Sequence, residues 1–227
     1  MIKAVIFDLD NTLLDFMKMK ETSIEAALNG MEEAGLDVDH ISAKNQIISI
    51  YKEKGWEYQE VFDDFIINAL GKLDNKILAA GIVSYRKAKE ATLMPYPNVN
   101  STLISLLKMG LSLGVVSDAP SREAWMRICS LNFHHLFDAV VTYDDTGEYK
   151  PSSKPFIKVS TLLNIKAEES LMIGDWPDRD VIGAKKLGMK TAFARYGDVF
   201  NTISSGADYD IDDISELLSI IKIENSL

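Results

Sequence analysis

The chain has 227 residues, of which 47% are hydrophobic and 26% are charged, with 13 glycines and 6 prolines. This composition excludes collagen-like, low-complexity and largely disordered proteins, and the length predicts one large domain or a core with a smaller companion. Asp and Glu total 34 against 24 Lys and Arg, and the resulting net charge of −10 argues against nucleic acid or anionic membranes as main partners.

The first predicted element is a strand over Lys3–Phe7, and a long segment without a convincing strand follows it. In this segment the apolar residues recur with helical spacing. Three such patterns are present, at Ile24, Ala27, Leu28 and Met31, at Val61, Phe62, Phe65, Ile66, Ala69 and Leu70, and at Ile77, Leu78, Ile82 and Tyr85. We therefore predict an all-helical subdomain over residues 16–94, inserted after the first strand and closed by Pro95 and Pro97.

Beyond this segment, patterns typical of strands and helices alternate. The remaining predicted strands are Leu113–Val116, Ala139–Thr142, Leu171–Gly174 and Lys190–Ala194. The helical stripes are Ile157, Leu162 and Leu163; Val181, Ala184 and Leu187, ended by Gly188; and Ile214, Leu217, Leu218 and Ile221. The alternation predicts an α/β core of residues 1–15 and 95–227, with a doubly wound, mostly parallel, Rossmann-like sheet.

Two carboxylates, Asp8 and Asp10, follow the first predicted strand and are separated by one residue. In open α/β sheets, ligands bind at the carboxyl ends of the strands, so these acids lie where chemistry usually occurs. A nucleophilic carboxylate with a neighbouring acid is a workable pair for covalent catalysis. A simple turn is the alternative, because Asp, Asn and Thr all favour turns.

A second acidic cluster, which contains Asp175, Asp178 and Asp180, follows the predicted strand that ends at Gly174. Carboxylates from two strand ends can hold a hard cation such as Mg²⁺. The favourable interaction of acids with a helix N-terminus explains Asp178 and Asp180 well, but it explains Asp175 less well.

Two further strand ends carry polar residues. Ser117 offers a hydroxyl and backbone N–H groups before a predicted helix, which would suit an anion, although Ser and Asp are also ordinary helix caps. Lys150 follows the third predicted strand and could offset the charge of Asp8, Asp175 and a bound phosphate. Each of these features is persuasive only together with the two acidic clusters.

Together, in this order and spacing, these residues resemble the four motifs of the haloacid dehalogenase-like hydrolase superfamily. The matching set is Asp8-x-Asp10-x-Thr12, Ser117, Lys150-Pro151 and Gly174-Asp175-x-x-x-x-Asp180. The similarity covers almost the whole chain, and the helical insertion is similar to that superfamily's cap of the first type. Asp118 stands where many members have Asn. The opening motif looks like that of small-metabolite phosphatases, both glyceraldehyde 3-phosphate phosphatase-like and phosphoglycolate phosphatase-like.

The resemblance implies a Mg²⁺-dependent phosphatase that hydrolyses a small phosphorylated metabolite through an aspartyl-phosphate. It implies that Asp8 is the nucleophile, that Asp10 is the acid and base, and that Lys150 assists catalysis. The implied phosphate-binding residues are Thr12, Ser117, Asp118 and Lys150. The implied ligands of Mg²⁺ are the carboxylates of Asp8 and Asp175 and the backbone carbonyl of Asp10, while Asp180 would orient Lys150 or the water shell of the metal.

Three other functions are compatible with parts of this pattern. A phosphosugar mutase would keep the whole set and release an isomerised product instead of phosphate. A 2-haloacid dehalogenase needs neither leaving-group protonation nor Mg²⁺, and a non-catalytic binding protein would be expected to lack Asp8 or Asp10. In the predicted cap, the basic residues Lys18, Lys20, Arg86 and Lys87 could meet an anionic substrate.

The sequence also bears on the compartment. The single cysteine, Cys129, cannot form an intramolecular disulfide, and the apolar start of the chain stops at Asp8, too early for a signal peptide. The longest uncharged stretch, 91–107, contains two prolines and does not suit a membrane span. We therefore expect a cytoplasmic protein that is a monomer or a homodimer.

Overall fold

A six-stranded parallel sheet with the order β3-β2-β1-β4-β5-β6 is the framework of the computed structural model, which describes residues 1–226. The strands are β1 (Ala4–Phe7), β2 (Ser112–Val116), β3 (Ala139–Val141), β4 (Ser170–Gly174), β5 (Lys190–Ala194) and β6 (Tyr209–Ile211). The predicted α/β fold with a doubly wound parallel sheet is confirmed. The first five strands agree with the prediction to within one residue at each end.

The chain divides into two compact units, of which one is Phe16–Leu93 and the other combines Met1–Asp15 with the chain from Met94 onward. The helices of the first unit are α1 (Phe16–Glu33), α2 (His40–Lys54), α3 (Val61–Leu70) and α4 (Asn75–Thr92). Helices α1 and α4 pack closely at Gly30 and Ser84. A Cβ on Gly30 would lie only 2.3 Å from Oγ of Ser84, so this contact needs glycine. Helix α2 is not predicted from the sequence, since few of its side chains, among them Ala43 and Ile47, are buried.

The helices of the sheet unit are α5 (Val99–Lys108), α6 (Ser121–Ser130), α7 (Tyr143–Thr146), α8 (Ser153–Leu162), α9 (Asp180–Lys185) and α10 (Leu217–Glu224), of which α10 follows the last strand. The predicted stripe on α8 is wrong, because Ile157 and Leu162 are 50% and 52% exposed. The helix buries Phe156 and Val159 instead. None of the helices in residues 1–226 combines the length and the apolar character that a membrane crossing requires.

The register of the central strands brings three chain segments to one edge of the sheet. Phe7, the last residue of β1, pairs with Val115 of β2 and with Ile173 of β4. The residues that follow these strands therefore emerge side by side at the carboxyl edge. The order of strands reverses around β1, and such a switch point is where open α/β sheets bind their ligands.

Candidate active site

Lys150 and Asp8 form the centre of the polar cluster at this edge. The Nζ atom of Lys150 lies 2.6 Å from Oδ1 of Asp8 and 2.7 Å from Oδ1 of Asp180, and it also donates to the carbonyl of Val116 at 3.2 Å. Lys150 is only 3% exposed. Burial alone would lower the pKa of Lys150, but the charges of Asp180 and Asp8 raise it well above its usual value. Lys150 is therefore a buried ammonium ion shared by two carboxylates.

Three carboxylates, from Asp8, Asp175 and Asp180, approach one another so closely that one oxygen of each lies within 4.8 Å of the others. Burial, together with the negative charges of Asp8 and Asp180, raises the pKa of Asp175 well above its usual range. One ammonium ion does not neutralise three carboxylates, so the cluster carries an excess of negative charge when all three are ionised. An oxygen-only donor set with this excess fits a hard divalent cation.

Asp180 begins α9 and is held by two donors. Besides Lys150, the backbone N–H of Trp176 donates to Oδ2 of Asp180 at 3.1 Å. A Cβ on Gly174 would lie 2.1 Å from this Oδ2, so only glycine lets Asp180 approach the end of β4. Burial raises the pKa of Asp180 to about 7, although Lys150 acts in the opposite direction. Asp180 contacts Lys150 directly, which is one of the two expected arrangements.

Thr12 orients Asp175. Its side chain is completely buried, and its hydroxyl donates to Oδ1 of Asp175 at 3.2 Å. The carbonyl of Thr12 in turn accepts a hydrogen bond of 2.9 Å from the hydroxyl of Tyr196. The Thr12 hydroxyl therefore faces a carboxylate and has no access to solvent.

Ser117 follows β2 and lies at the same edge of the sheet as Asp8. Its backbone N–H donates to the carbonyl of Val141 at 2.9 Å, and its Oγ accepts from the N–H of Ala119 at 3.1 Å. Because the hydroxyl acts as an acceptor in this turn, its own hydrogen remains to be donated to a ligand.

Asp118 has a structural role that the sequence does not reveal. Its Oδ1 accepts from the backbone N–H of Lys150 at 2.9 Å, and its Oδ2 accepts from Nη1 of Arg179 at 2.8 Å. The Arg179 guanidinium also lies 3.9 Å from the ring centroid of Trp176. Both side-chain oxygens of Asp118 therefore hold protein donors, and the carboxylate fixes the backbone of Lys150.

Asp10 points to a different cation from Asp8. Its Oδ2 accepts from Nη1 of Arg127 at 2.6 Å. Arg127 lies on α6 and is 1% exposed, whereas the Asp10 side chain is 23% exposed. The carboxylate of Asp10 is not part of the three-carboxylate group. Arg127 is not predicted from the sequence, although a charged residue between Ala124 and Ile128 on the buried face of α6 is a signal for it.

The chain is similar in sequence and in fold to known proteins. Residues 5–194 match the haloacid dehalogenase-like hydrolase family. The glyceraldehyde 3-phosphate phosphatase of Methanocaldococcus jannaschii is 38% identical over 225 residues, which are 98% of each chain. The phosphoglycolate phosphatase of Aquifex aeolicus is 32% identical over 203 residues, which are 86% of each chain. The crystal structure of a HAD phosphatase from Thermococcus onnurineus has a TM-score of 0.70 and 26% identity, and covers 97% of this chain and 98% of that chain.

Proposed function

The chain belongs to the haloacid dehalogenase-like hydrolase family, and we propose that it is a Mg²⁺-dependent phosphatase acting on a small phosphorylated metabolite. The observation that carries this proposal is the buried ammonium of Lys150, 2.6 Å from a strand-end carboxylate, Asp8, within a cluster of three acids. A dianionic phosphoryl group needs positioning and charge neutralisation, and both are available at this edge of the sheet.

Asp8 is the proposed nucleophile. Lys150 holds its Oδ1, so that the other oxygen attacks phosphorus while the bond from phosphorus to the leaving oxygen breaks. The leaving oxygen takes a proton from Asp10. Water then attacks phosphorus of the aspartyl-phosphate and gives a proton to Asp10. The bond from phosphorus to the Asp8 oxygen breaks in this step, so inorganic phosphate leaves and the Asp8 carboxylate is restored.

The charged and polar groups around Asp8 bind the phosphoryl oxygens in this proposal. Lys150 provides a positive charge, and Ser117 provides a hydroxyl hydrogen. Asp118 and Thr12 act through Lys150 and Asp175, respectively. When bound by the carboxylates of Asp8 and Asp175 and the carbonyl of Asp10, Mg²⁺ supplies further neutralisation of phosphoryl charge.

The similarity to named phosphatases supports a small substrate. The M. jannaschii relative, at 38% identity over nearly its full length, favours glyceraldehyde 3-phosphate. Phosphoglycolate is the second candidate, supported by the A. aeolicus relative at 32% identity. Both candidates are three- or two-carbon monophosphates, so they define one class of compact anionic substrate.

The helical unit Phe16–Leu93 is proposed as the cap that selects the substrate. Within it, Lys20 is 4% exposed, donates to the carbonyl of Trp56 at 2.6 Å and lies 4.4 Å from the ring centroid of Tyr51. Lys20 therefore stabilises the interior of this unit, and the expected contact of Lys20 with substrate is replaced by that structural role. Lys18 and Arg86 are exposed and remain the candidates for a contact with substrate.

The decisive experiment is phosphate release from a panel of phosphorylated metabolites, with Mg²⁺ and after removal of divalent metal. We expect release from glyceraldehyde 3-phosphate or phosphoglycolate that depends on Mg²⁺ and is abolished by Asp8→Asn. Asp178→Asn is the matched control, because Asp178 is an exposed aspartate close to Asp175. Full activity of Asp8→Asn would refute the proposed nucleophile, and metal-independent turnover would refute the proposed cofactor.

A further inference from the structure

Arg127 on α6 is a buried cation outside the cluster around Lys150. It is 1% exposed and is surrounded on its helix by the buried residues Ala124 and Ile128. Its Nη1 donates to Oδ2 of Asp10 at 2.6 Å, across 117 residues of sequence. Taking a guanidinium out of water is unfavourable unless a charged partner compensates for it, so this position is adapted to a carboxylate.

The two buried cations divide the two acids of the first motif between them. Lys150 contacts Asp8 and Asp180, whereas Arg127 contacts Asp10. The fork of an arginine fixes the orientation of a carboxylate better than a lysine does, because its donors lie in one rigid plane. Asp10 is therefore restrained by Arg127, whereas the proposed nucleophile, Asp8, is held by Lys150.

From this geometry we propose that Arg127 is a positioning residue, which holds Oδ2 of Asp10 so that Oδ1 can exchange a proton with the leaving oxygen and then with water. This inference rests on the proposed function, in which Asp10 is the acid and base. It adds a residue from a helix that carries none of the four sequence motifs. Its consequence is that Arg127 acts on the chemical step through Asp10 and leaves substrate binding unchanged.

The test combines Arg127→Met and Arg127→Lys with Asp10→Asn in a double-mutant cycle. Single-turnover phosphorylation is measured with an alkyl phosphate, such as glyceraldehyde 3-phosphate, and with p-nitrophenyl phosphate. We expect Arg127→Met to slow phosphorylation by the alkyl phosphate about 10- to 100-fold, with an unchanged KM, because misplacing a catalytic group has effects of this size. The effect on p-nitrophenyl phosphate should be smaller, since its leaving group needs no proton. Arg127→Lys should restore part of the rate.

In the Asp10→Asn background, Arg127→Met should cause no further loss. Arg122→Met is the control, because Arg122 is exposed on the same helix. A merely structural role would slow both backgrounds and both substrates equally, and this result would overturn the inference. Faster phosphorylation in Arg127→Met would also overturn it, because the arginine would then hold Asp10 in an unproductive position.

The inference and the proposed function fail in different ways. A wild-type protein that releases no phosphate from any ester contradicts the proposed function, whereas an active enzyme with additive losses contradicts only the role of Arg127. If neither Arg127 variant folds, the guanidinium ¹⁵N NMR signal of Arg127 can be compared between the wild-type protein and Asp10→Asn. A shifted signal supports the contact with Asp10, and an unchanged signal refutes it.

Discussion

Replacing Lys150 by methionine removes the buried positive charge of the site and keeps much of the side-chain volume. The ammonium lies 2.6 Å from Asp8 and 2.7 Å from Asp180, and it is 3% exposed. Without it, the buried carboxylates face one another with no counter-charge. We therefore expect Lys150→Met to lower the free energy of unfolding of the metal-free protein at neutral pH.

The size of the effect follows from the burial of the pair. Removing one partner of a buried ion pair destabilises a protein by about 3–5 kcal/mol. For a chain of this size, 1 kcal/mol corresponds to about 2–4 °C in Tm, so Tm should fall by about 6–20 °C. Phosphatase activity should fall by at least about 10²-fold, as expected when a donor to a developing charge is removed.

Thermal unfolding in the presence of a chelator is the assay. The control is Lys154→Met, because the Lys154 side chain is 63% exposed and its ion pair with Glu148 lies at the surface. This substitution should change the free energy of unfolding by less than about 0.5 kcal/mol. A Tm of Lys150→Met within about 2 °C of the wild-type value would refute the assignment of Lys150 as the counter-charge of the cluster.

Three other predictions follow from the same contacts. Gly174→Ala should destabilise the protein by about 1–3 kcal/mol and reduce phosphatase activity, because its Cβ would lie 2.1 Å from Oδ2 of buried Asp180; urea unfolding and phosphate release measure both effects. The pKa of Asp175 is raised in the folded protein, so the folded state binds a proton at Asp175 more tightly than the unfolded chain does. The stability of the metal-free protein should therefore decrease as the pH rises above about 4. Mg²⁺ should therefore raise Tm more at about pH 8 than at about pH 5, and an equal rise at both would contradict the pKa shift. Asp118→Asn should change stability by no more than about 1 kcal/mol, because Arg179 is 34% exposed and the amide oxygen can still accept from the N–H of Lys150; a chemical denaturation curve that shows a larger loss would contradict this.

The sequence was most informative about the parallel strands, because a predicted strand also predicts where the residues that follow it lie. Apolar runs of strand length predicted five parallel strands, and acids at the ends of β1 and β4 then had to meet at one edge. The third acid of the cluster, Asp180, lies five residues beyond Asp175, so its approach depends on Gly174 and on the turn into α9. β6 was missed because its three residues include a polar residue and give no clear period.

Side-chain contacts between residues that are distant in sequence could not be predicted. Arg127 pairs with a residue 117 positions away, and nothing in a helical pattern reveals which carboxylate a buried arginine will meet. The place of Asp118 in the motif did not reveal that its two oxygens accept from Arg179 and from the backbone of Lys150. In each case the residue type was visible in the sequence, while its partner was set by the tertiary structure.

The most direct test of the proposed mechanism is chemical identification of the covalent intermediate. The Asp10→Asn variant, in which loss of the base should slow hydrolysis, is mixed with p-nitrophenyl phosphate and Mg²⁺, quenched with acid and reduced with borohydride. Reduction converts an aspartyl-phosphate to homoserine, which peptide mass spectrometry locates in the chain. We predict homoserine in place of Asp8 and none in the Asp8→Asn variant. Modification of another carboxylate, or turnover with Asp8 left unmodified, would contradict the assignment of Asp8 as the nucleophile.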